Sequence, residues 1–329
     1  MKTIFVKCLG LILLSVAAGF AQEKSRIAFK VSEPDLIPEG IAFDARKKTF
    51  YVGSTYLRKI ISIDEKGAGK DFTAEAQDGM RGVLGLRVDA KRRFLWAISS
   101  HAGMSMPIKG NPRDCIGCSE VFKYNLDSGK LIKKYSLKND PDKHFLNDLA
   151  VALNGDVYIT DTIHAAVYLI SENSDELTEF IRLEKTSYPN GIDLSADEKH
   201  LFVGLEGKIA AIDLRNNNVV YLPTPNDVQV GGIDGLYFYQ NSLIAVQPFE
   251  KEKTIVRYHL NEKRDRIEKA EIVEATHKLF DQPTTGVIVG KDFYYFANSQ
   301  LQTFRKLVQP DGSFDKSKLS DVFVLKVRI

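Results

Sequence analysis

Gly40-Ile-Ala-Phe-Asp-Ala-Arg-Lys-Lys-Thr-Phe-Tyr-Val52 recurs without a gap as Gly85-Leu-Arg-Val-Asp-Ala-Lys-Arg-Arg-Phe-Leu-Trp-Ala97, and again as Gly191-Ile-Asp-Leu-Ser-Ala-Asp-Glu-Lys-His-Leu-Phe-Val203. With one deletion the pattern fits Asp148-Leu-Ala-Val-Ala-Leu-Asn-Gly-Asp-Val-Tyr-Ile159, and shorter copies begin at Gly235 and Gly286. Each copy alternates apolar and polar residues, breaks at a polar turn and alternates again, the signature of two antiparallel strands joined by a hairpin. A third strand follows in several copies, as in Lys59-Ile-Ile-Ser-Ile-Asp64 and Ala165-Ala-Val-Tyr-Leu-Ile170. The copies start 45, 63, 43, 44 and 51 residues apart, close to the roughly 40–50 residues of a four-stranded propeller blade. The chain is therefore expected to be all-β, a six-bladed β-propeller formed by residues 22–329 as one domain. Segments 26–31 and 321–329 are free to complete one blade together and close the ring. A solenoid would need capping repeats, and the sequence offers none.

The N-terminus has the form of a secretory leader. Lys2 and Lys7 precede an apolar stretch from Cys8 to Ala18, and Gly19-Phe20-Ala21 supplies small residues before Gln22, so residues 1–21 are expected to be cleaved and the protein to be secreted or periplasmic. The apolar stretch is too short to span about 30 Å of hydrocarbon, so no membrane anchor is expected. The 45 basic and 43 acidic residues nearly balance, and no basic patch suggests a nucleic-acid partner. Lys91-Arg92-Arg93 reads as a solvated turn. Beyond the leader the only cysteines are Cys115 and Cys118, and an oxidising compartment favours a short local disulfide over redox chemistry or a zinc site. A monomer is expected.

In a propeller the first strand of each blade is innermost, and the residue just before each repeat points into one mouth of the central channel. That position holds Glu39, Leu84, Asn147, Asn190, Asp234 and Thr285. Five carry side-chain oxygen and none is Cys or His, the donor set of a hard cation such as Ca²⁺. Asn-Gly and Asp-Gly also make hairpin turns, as Asn154-Gly155 is placed to do, but Asn190-Gly191 and Asp234-Gly235 precede a first strand. Second strands end at the same mouth, which brings Ser54, Ser100, His101, Asp161, Thr162, Glu206, Gln247 and Asn298 beside the ring. The long second repeat places its extra residues near Ser99–Glu120, around Cys115 and Cys118, as a lid or as surface decoration.

Pro38-Glu39-Gly40, Leu146-Asn147-Asp148, Pro189-Asn190-Gly191 and Ile233-Asp234-Gly235 resemble, in order, the metal-binding segments of the senescence-marker/gluconolactonase superfamily and, more distantly, the paraoxonases. The resemblance implies a calcium-dependent propeller hydrolase with Glu39, Asn190 and Asp234 as metal ligands. Asn147 matches a residue that approaches metal or substrate in gluconolactonases; the paraoxonase counterpart falls at Asp161. Gluconolactonases carry an Arg where this chain has Phe145, which argues for a small non-sugar ester or lactone as substrate. His101 and His144 stand where paraoxonases place a His pair that handles the attacking water. The expected site is thus Glu39, Asn147, Asn190 and Asp234 for the metal, His101, Asp161 or Glu206 as base, and Phe145, His144, Gln247 and Asn298 against the substrate. No Gly-x-Ser-x-Gly elbow is present. The alternatives are a non-catalytic propeller with a structural metal, and a metal-free relative of strictosidine synthase, which the polar ring disfavours.

Overall fold

The computed structural model describes residues 24–110, 115–137 and 142–329; the expected leader lies outside them. After β1 (Arg26–Val31), blade 1 is β2 (Pro38–Asp44), β3 (Thr49–Ser54), β4 (Ile60–Asp64) and β5 (Gly69–Asp71). Blade 2 is β6 (Gly82–Asp89), β7 (Phe94–Ser100), β8 (Ser119–Asn125) and β9 (Leu131–Ser136). Blade 3 is β10 (Leu146–Val151), β11 (Val157–Asp161), β12 (Ala166–Ile170) and β13 (Leu177–Arg182). Blade 4 is β14 (Ile192–Leu194), β15 (His200–Gly204), β16 (Ile209–Asp213) and β17 (Asn218–Tyr221). Blade 5 is β18 (Leu236–Tyr239), β19 (Ser242–Gln247), β20 (Thr254–Leu260) and β21 (Ile267–Ala275). Blade 6 is β22 (Gly286–Val289), β23 (Asp292–Phe296) and, after the short helix α1 (Leu301–Leu307), β24 (Val322–Arg328). These form six four-stranded antiparallel sheets, and β1 pairs with β24 to complete the last one. The six-bladed propeller and its closure by the two chain ends are as the repeats imply.

Alternation along each strand feeds two cores at once, because both faces of a blade are covered by its neighbours. In β3, Phe50 and Val52 enter the cluster shared with blade 6, and Tyr51 between them enters the cluster shared with blade 2. Six such clusters fill the six seams. Each fully buried large side chain stabilises the ring by about 1.5–3 kcal/mol. The Lys91-Arg92-Arg93 turn is a turn, as expected, but it is not merely solvated. Arg93 makes a bidentate bond to Asp44 of blade 1, at 2.9 and 2.6 Å, and also pairs with Asp127. A fork matched to a carboxylate in this way fixes orientation as well as charge, and it staples blade 2 to blade 1.

The structure also contains a segment that repeat alignment does not reveal. Between β23 and β24, residues 297–321 leave the sheet, form α1 and return. Tyr56, Phe304 and Phe314 pack edge to face there. Leu301 touches both the blade 6/blade 1 core and the blade 2/blade 3 core. The segment therefore lies across the face at which the first strands begin.

Candidate metal centre and channel mouth

The ring residues sit on an irregularity that recurs from blade to blade. In β2, Pro38 pairs with Ser54 and Ile41 with Val52, so three residues advance on one strand while two advance on the other. The same slip occurs at Leu84-Gly85 and at Asn147-Asp148. In blade 4, Asn190 N donates to Gly204 O while Gly204 N donates to Gly191 O; in blade 5, Asp234 and Gly235 share Val246 likewise. Each is a β-bulge, which inserts one residue and re-aims its side chain. The glycine that follows is there for clearance. A methyl group on Gly85 would stand 2.8 Å from Asn147 O and from Asp148 Cα, and one on Gly191 would stand 2.6 Å from Asp234 O. The innermost strands of adjacent blades are that close at the axis. Neither glycine has positive φ, whereas Gly155 of the Asn154-Gly155 hairpin has φ 107°. The two meanings of Asn-Gly thus separate in the backbone.

Of the polar ring residues, Glu39, Asn147 and Asp234 are buried and Asn190 is half-buried. Glu39, Asn147 and Asp234 are 7, 5 and 4 % exposed. Asn190 Nδ2 donates to Asp234 Oδ1 at 3.0 Å, and Asn190 Oδ1 is buried with no hydrogen-bond partner among the described residues. Asn147 Nδ2 donates to Thr162 Oγ1 at 3.0 Å, and that hydroxyl donates to Pro189 O at 2.7 Å, tying blade 3 to the segment that delivers Asn190. Ser100 does the same one blade earlier through Leu146 O, at 2.7 Å. Thr285 Oγ1 donates to Glu39 O. Burial, and then the charges of Asp234 and Asp148, hold the Glu39 carboxyl well above its ordinary range. Burial also pushes Asp234 up to about 7, against the opposing pull of the Asn190 amide.

Beneath the ring a second charged layer closes the channel. Arg87 Nη2 reaches Asp148 Oδ2 at 3.2 Å and lies over the Tyr237 ring. Asp193, pushed up to about 6 by burial, accepts from Phe238 N at 2.8 Å. Asp148 thus has a cation of its own, whereas no basic group is among those that shift Glu39 or Asp234. Two buried carboxyls with no salt bridge among the described residues, beside a buried amide oxygen, suit a hard cation held by oxygen. Among the described residues no three His, Cys, Asp or Glu side chains cluster as a metal site; this ring has two carboxylates, and its other donors are amides.

The expected catalytic and substrate residues are distributed differently. Asp161 does not turn toward the ring. Along β11, Thr160 faces blade 4, where it donates to Asn190 O, and Ile159 joins the blade 2/blade 3 core. Asp161 therefore points into that seam too. There its Oδ2 lies 2.6 Å from His144 Nδ1, and its Oδ1 accepts from the N–H groups of Phe145, Ile163 and His164. His144 stacks on His164, centroids 4.1 Å apart. His164 escaped sequence reasoning; the signal available was its place three residues after Asp161, within reach of an Asx turn. Phe145 is half-buried against the same seam. Glu206 is exposed on the β15–β16 turn. Gln247 spends both ends of its amide on Tyr258 and Thr254. Asn298 spends its amide on Ser320, Asp321 O and Phe323 N. As placed, these two amides brace their own blades instead of facing a substrate.

His101 is fully buried just beyond Ser100. Its backbone is clasped by the disulfide loop: His101 N donates to Cys118 O, Gly117 N to His101 O, and His144 N to Gly117 O. Cys115 and Cys118 are bonded, as expected. Residues 111–114 of the long blade 2 insertion lie outside the described residues. The rest runs over the mouth toward blade 1, with Met106 buried and Lys109 N donating to Tyr56 O at 2.8 Å.

No protein-family model and no curated protein matches this sequence. Solved structures do. A gluconolactonase from Xanthomonas campestris is 14 % identical over 88 % of this chain and 85 % of its own, with a TM-score of 0.57. Virginiamycin B lyase from Staphylococcus aureus is 13 % identical over 91 % and 98 %, TM-score 0.59. An aldose sugar dehydrogenase from Streptomyces coelicolor in its PQQ-bound form is 11 % identical over 92 % and 96 %, TM-score 0.61. A hydrolase, a lyase and a dehydrogenase at such identities share a propeller with this chain, and the shared fold does not choose between their chemistries.

Proposed function

We propose that this chain is a secreted, calcium-dependent hydrolase of small non-sugar esters or lactones. The observation that carries the proposal is the buried pair Glu39 and Asp234 with the buried Asn190 Oδ1 between blades 4 and 5. Glu39, Asn190, Asp234 and Asn147 would hold the ion, which supplies Lewis-acid polarisation of a carbonyl when bound. Leu84 and Thr285 complete the ring without adding charge. The fold likeness to a gluconolactonase agrees with this reading.

The chain's own residues then divide the remaining work. Thr162 and Ser100 fix the Asn147 and Asn190 segments through their hydroxyls. Asp161 is committed to His144 and three backbone N–H groups, and Glu206 is exposed. Of the bases expected from the sequence this leaves His101, fully buried beside Ser100, which we propose as the group that takes the proton of the attacking water on an imidazole nitrogen. The leader-like sequence of residues 1–21 supports secretion.

The test uses protein dialysed against chelator. Calcium at a hundred times its dissociation constant should stabilise the fold by about 2.7 kcal/mol, and turnover on a panel of esters and lactones should require it. Calcium binding without turnover would instead indicate a ligand-binding propeller. Absence of both binding and turnover would end the proposal.

A further inference from the structure

Large apolar side chains are exposed at several places on this molecule, on outer strands and on the β10–β11 hairpin among them, and three of them flank the ring. Ile163 is 58 % exposed, Tyr188 48 % and Phe249 54 %. In this topology the second-to-third strand turns and the connections between blades all lie at the end where the first strands begin. Ile163 lies in the β11–β12 turn, Phe249 in the β19–β20 turn and Tyr188 in the β13–β14 connection. All three are therefore on the mouth face.

Each also adjoins one ring residue. Ile163 follows Thr162, whose hydroxyl accepts from Asn147. Tyr188 is two residues before Asn190. The Phe249 side chain fills the space where a methyl group on Gly232, two residues before Asp234, would stand. Ile163 and Phe249 occupy equivalent places, each two residues beyond the end of a second strand. Tyr188 adds evidence of a different kind. It has φ 47°, a left-handed conformation unusual for a bulky residue, and doubly so before a proline, which favours extended backbone in the residue ahead of it. Strain of this sort persists where the surroundings enforce it, and it gathers at functional sites. Scattered apolar residues on a surface need no explanation; three on successive blades beside three polar ring residues form a rim.

We infer that Ile163, Tyr188 and Phe249 are specificity-determining residues that receive an apolar chain carried by the substrate, while its carbonyl reaches the ring. The inference rests on the hydrolase reading and narrows it to esters and lactones bearing an alkyl or aryl substituent. Burying one methylene is equivalent to about fourfold in affinity. Along a series of γ-lactones with side chains of increasing length, kcat/KM should therefore climb by about that factor per methylene until the rim is covered.

The experiment compares wild type with the triple variant Ile163→Ser, Tyr188→Asn, Phe249→Ser. Asn is used at position 188 because it tolerates left-handed backbone. Two readouts are taken: turnover of the γ-lactones, and calorimetric affinity for the matching alkyl γ-lactams, which resist hydrolysis. A slope that flattens in the variant in both readouts, with an unchanged melting temperature, is the expected result. Lactone turnover with no dependence on chain length in wild type would overturn the rim and leave the hydrolase reading standing. A chain-length slope in lactam affinity that depends on the rim, without turnover of any lactone, would keep the rim and sink the hydrolase. A flat slope together with rim-dependent sedimentation on phosphatidylcholine vesicles, or rim-dependent dimerisation, would overturn the inference by assigning the face to another occupant. Absence of both lactam binding and turnover would overturn both readings.

Discussion

Replacing Asp234 with Asn should stabilise the metal-free protein and abolish most of its response to calcium. The side chain is 4 % exposed, and its carboxyl is pushed up to about 7, chiefly by burial. An unfolded Asp ionises near 3.9, so the folded chain binds the extra proton across the interval from about 4 to 7. Stability of the metal-free wild type must therefore fall as the pH rises through that interval and level off above it. A carboxyl ionising near 7 when folded and near 3.9 when unfolded costs the native state about 4 kcal/mol at and above neutrality. Asp234→Asn removes that cost, and it also relieves Glu39, which the Asp234 charge raises. For a chain of this size the gain corresponds to about 5 °C in melting temperature at pH 8, shrinking as the pH approaches 4. Calcium reverses the ranking. Its binding competes with protons at Glu39 and Asp234, so wild-type affinity should tighten from pH 5 to pH 8, while the variant lacks one of the two negative charges. The assay is thermal melting of both proteins from pH 4 to pH 8, with chelator and with calcium. A variant that melts lower than wild type in chelator at pH 8, yet keeps the full calcium increment, would refute the argument from buried like charges.

Gly191→Ala should cost about 3 kcal/mol or more, because the added methyl meets backbone atoms of Asp234, Gly235 and Leu236 that cannot step aside. Gly69→Ala, whose methyl would lie 3.7 Å from Ile63 Cγ1, is the control and should change chemical-denaturation stability by less than about 0.5 kcal/mol. Replacing Cys115 and Cys118 together with Ser opens a loop of four residues and should cost at most about 2 kcal/mol. It should also speed amide exchange at Gly117, Cys118 and His144, whose N–H groups bond to His101 O, Cys115 O and Gly117 O, and it should alter substrate preference. Global unfolding of the double variant, or two titratable thiols in the native protein, would count against the local role given to this bridge.

The fold was legible because a propeller writes itself into the sequence several times. One match to the Gly40–Val52 pattern is a hairpin; six at blade spacing are a ring. The ring residues were legible for a steric reason as much as a chemical one. Where strands of neighbouring blades nearly touch, the residue after the ring position is a glycine at Gly40, Gly85, Gly191 and Gly235, with Asp148 as the exception in blade 3. Glycine therefore marked the register, and the register marked Glu39, Asn190 and Asp234. The α1 segment was not legible, since seven helical residues carry too short a period to detect and have no counterpart in the other blades.

The residues around the ring failed for another reason, which bears on how the site is built. Position along a second strand was enough to place Asp161, Gln247 and Asn298 at the mouth, and they are there. Which way each side chain turns depends on strand parity, and parity is what a bulge disturbs. The bulge at Asn147-Asp148 puts two residues of β10 opposite one of β11, so counting outward from Asn147 assigns Asp161 the wrong face. Asp161 thus ends in the seam with His144, while the neighbouring Thr162 turns its hydroxyl to Asn147. The same device that aims the ring side chains inward therefore moves a carboxylate away from them. Glu39 and Asp234 are left as the two carboxyls of the ring, above a layer in which Asp148 is paired with Arg87.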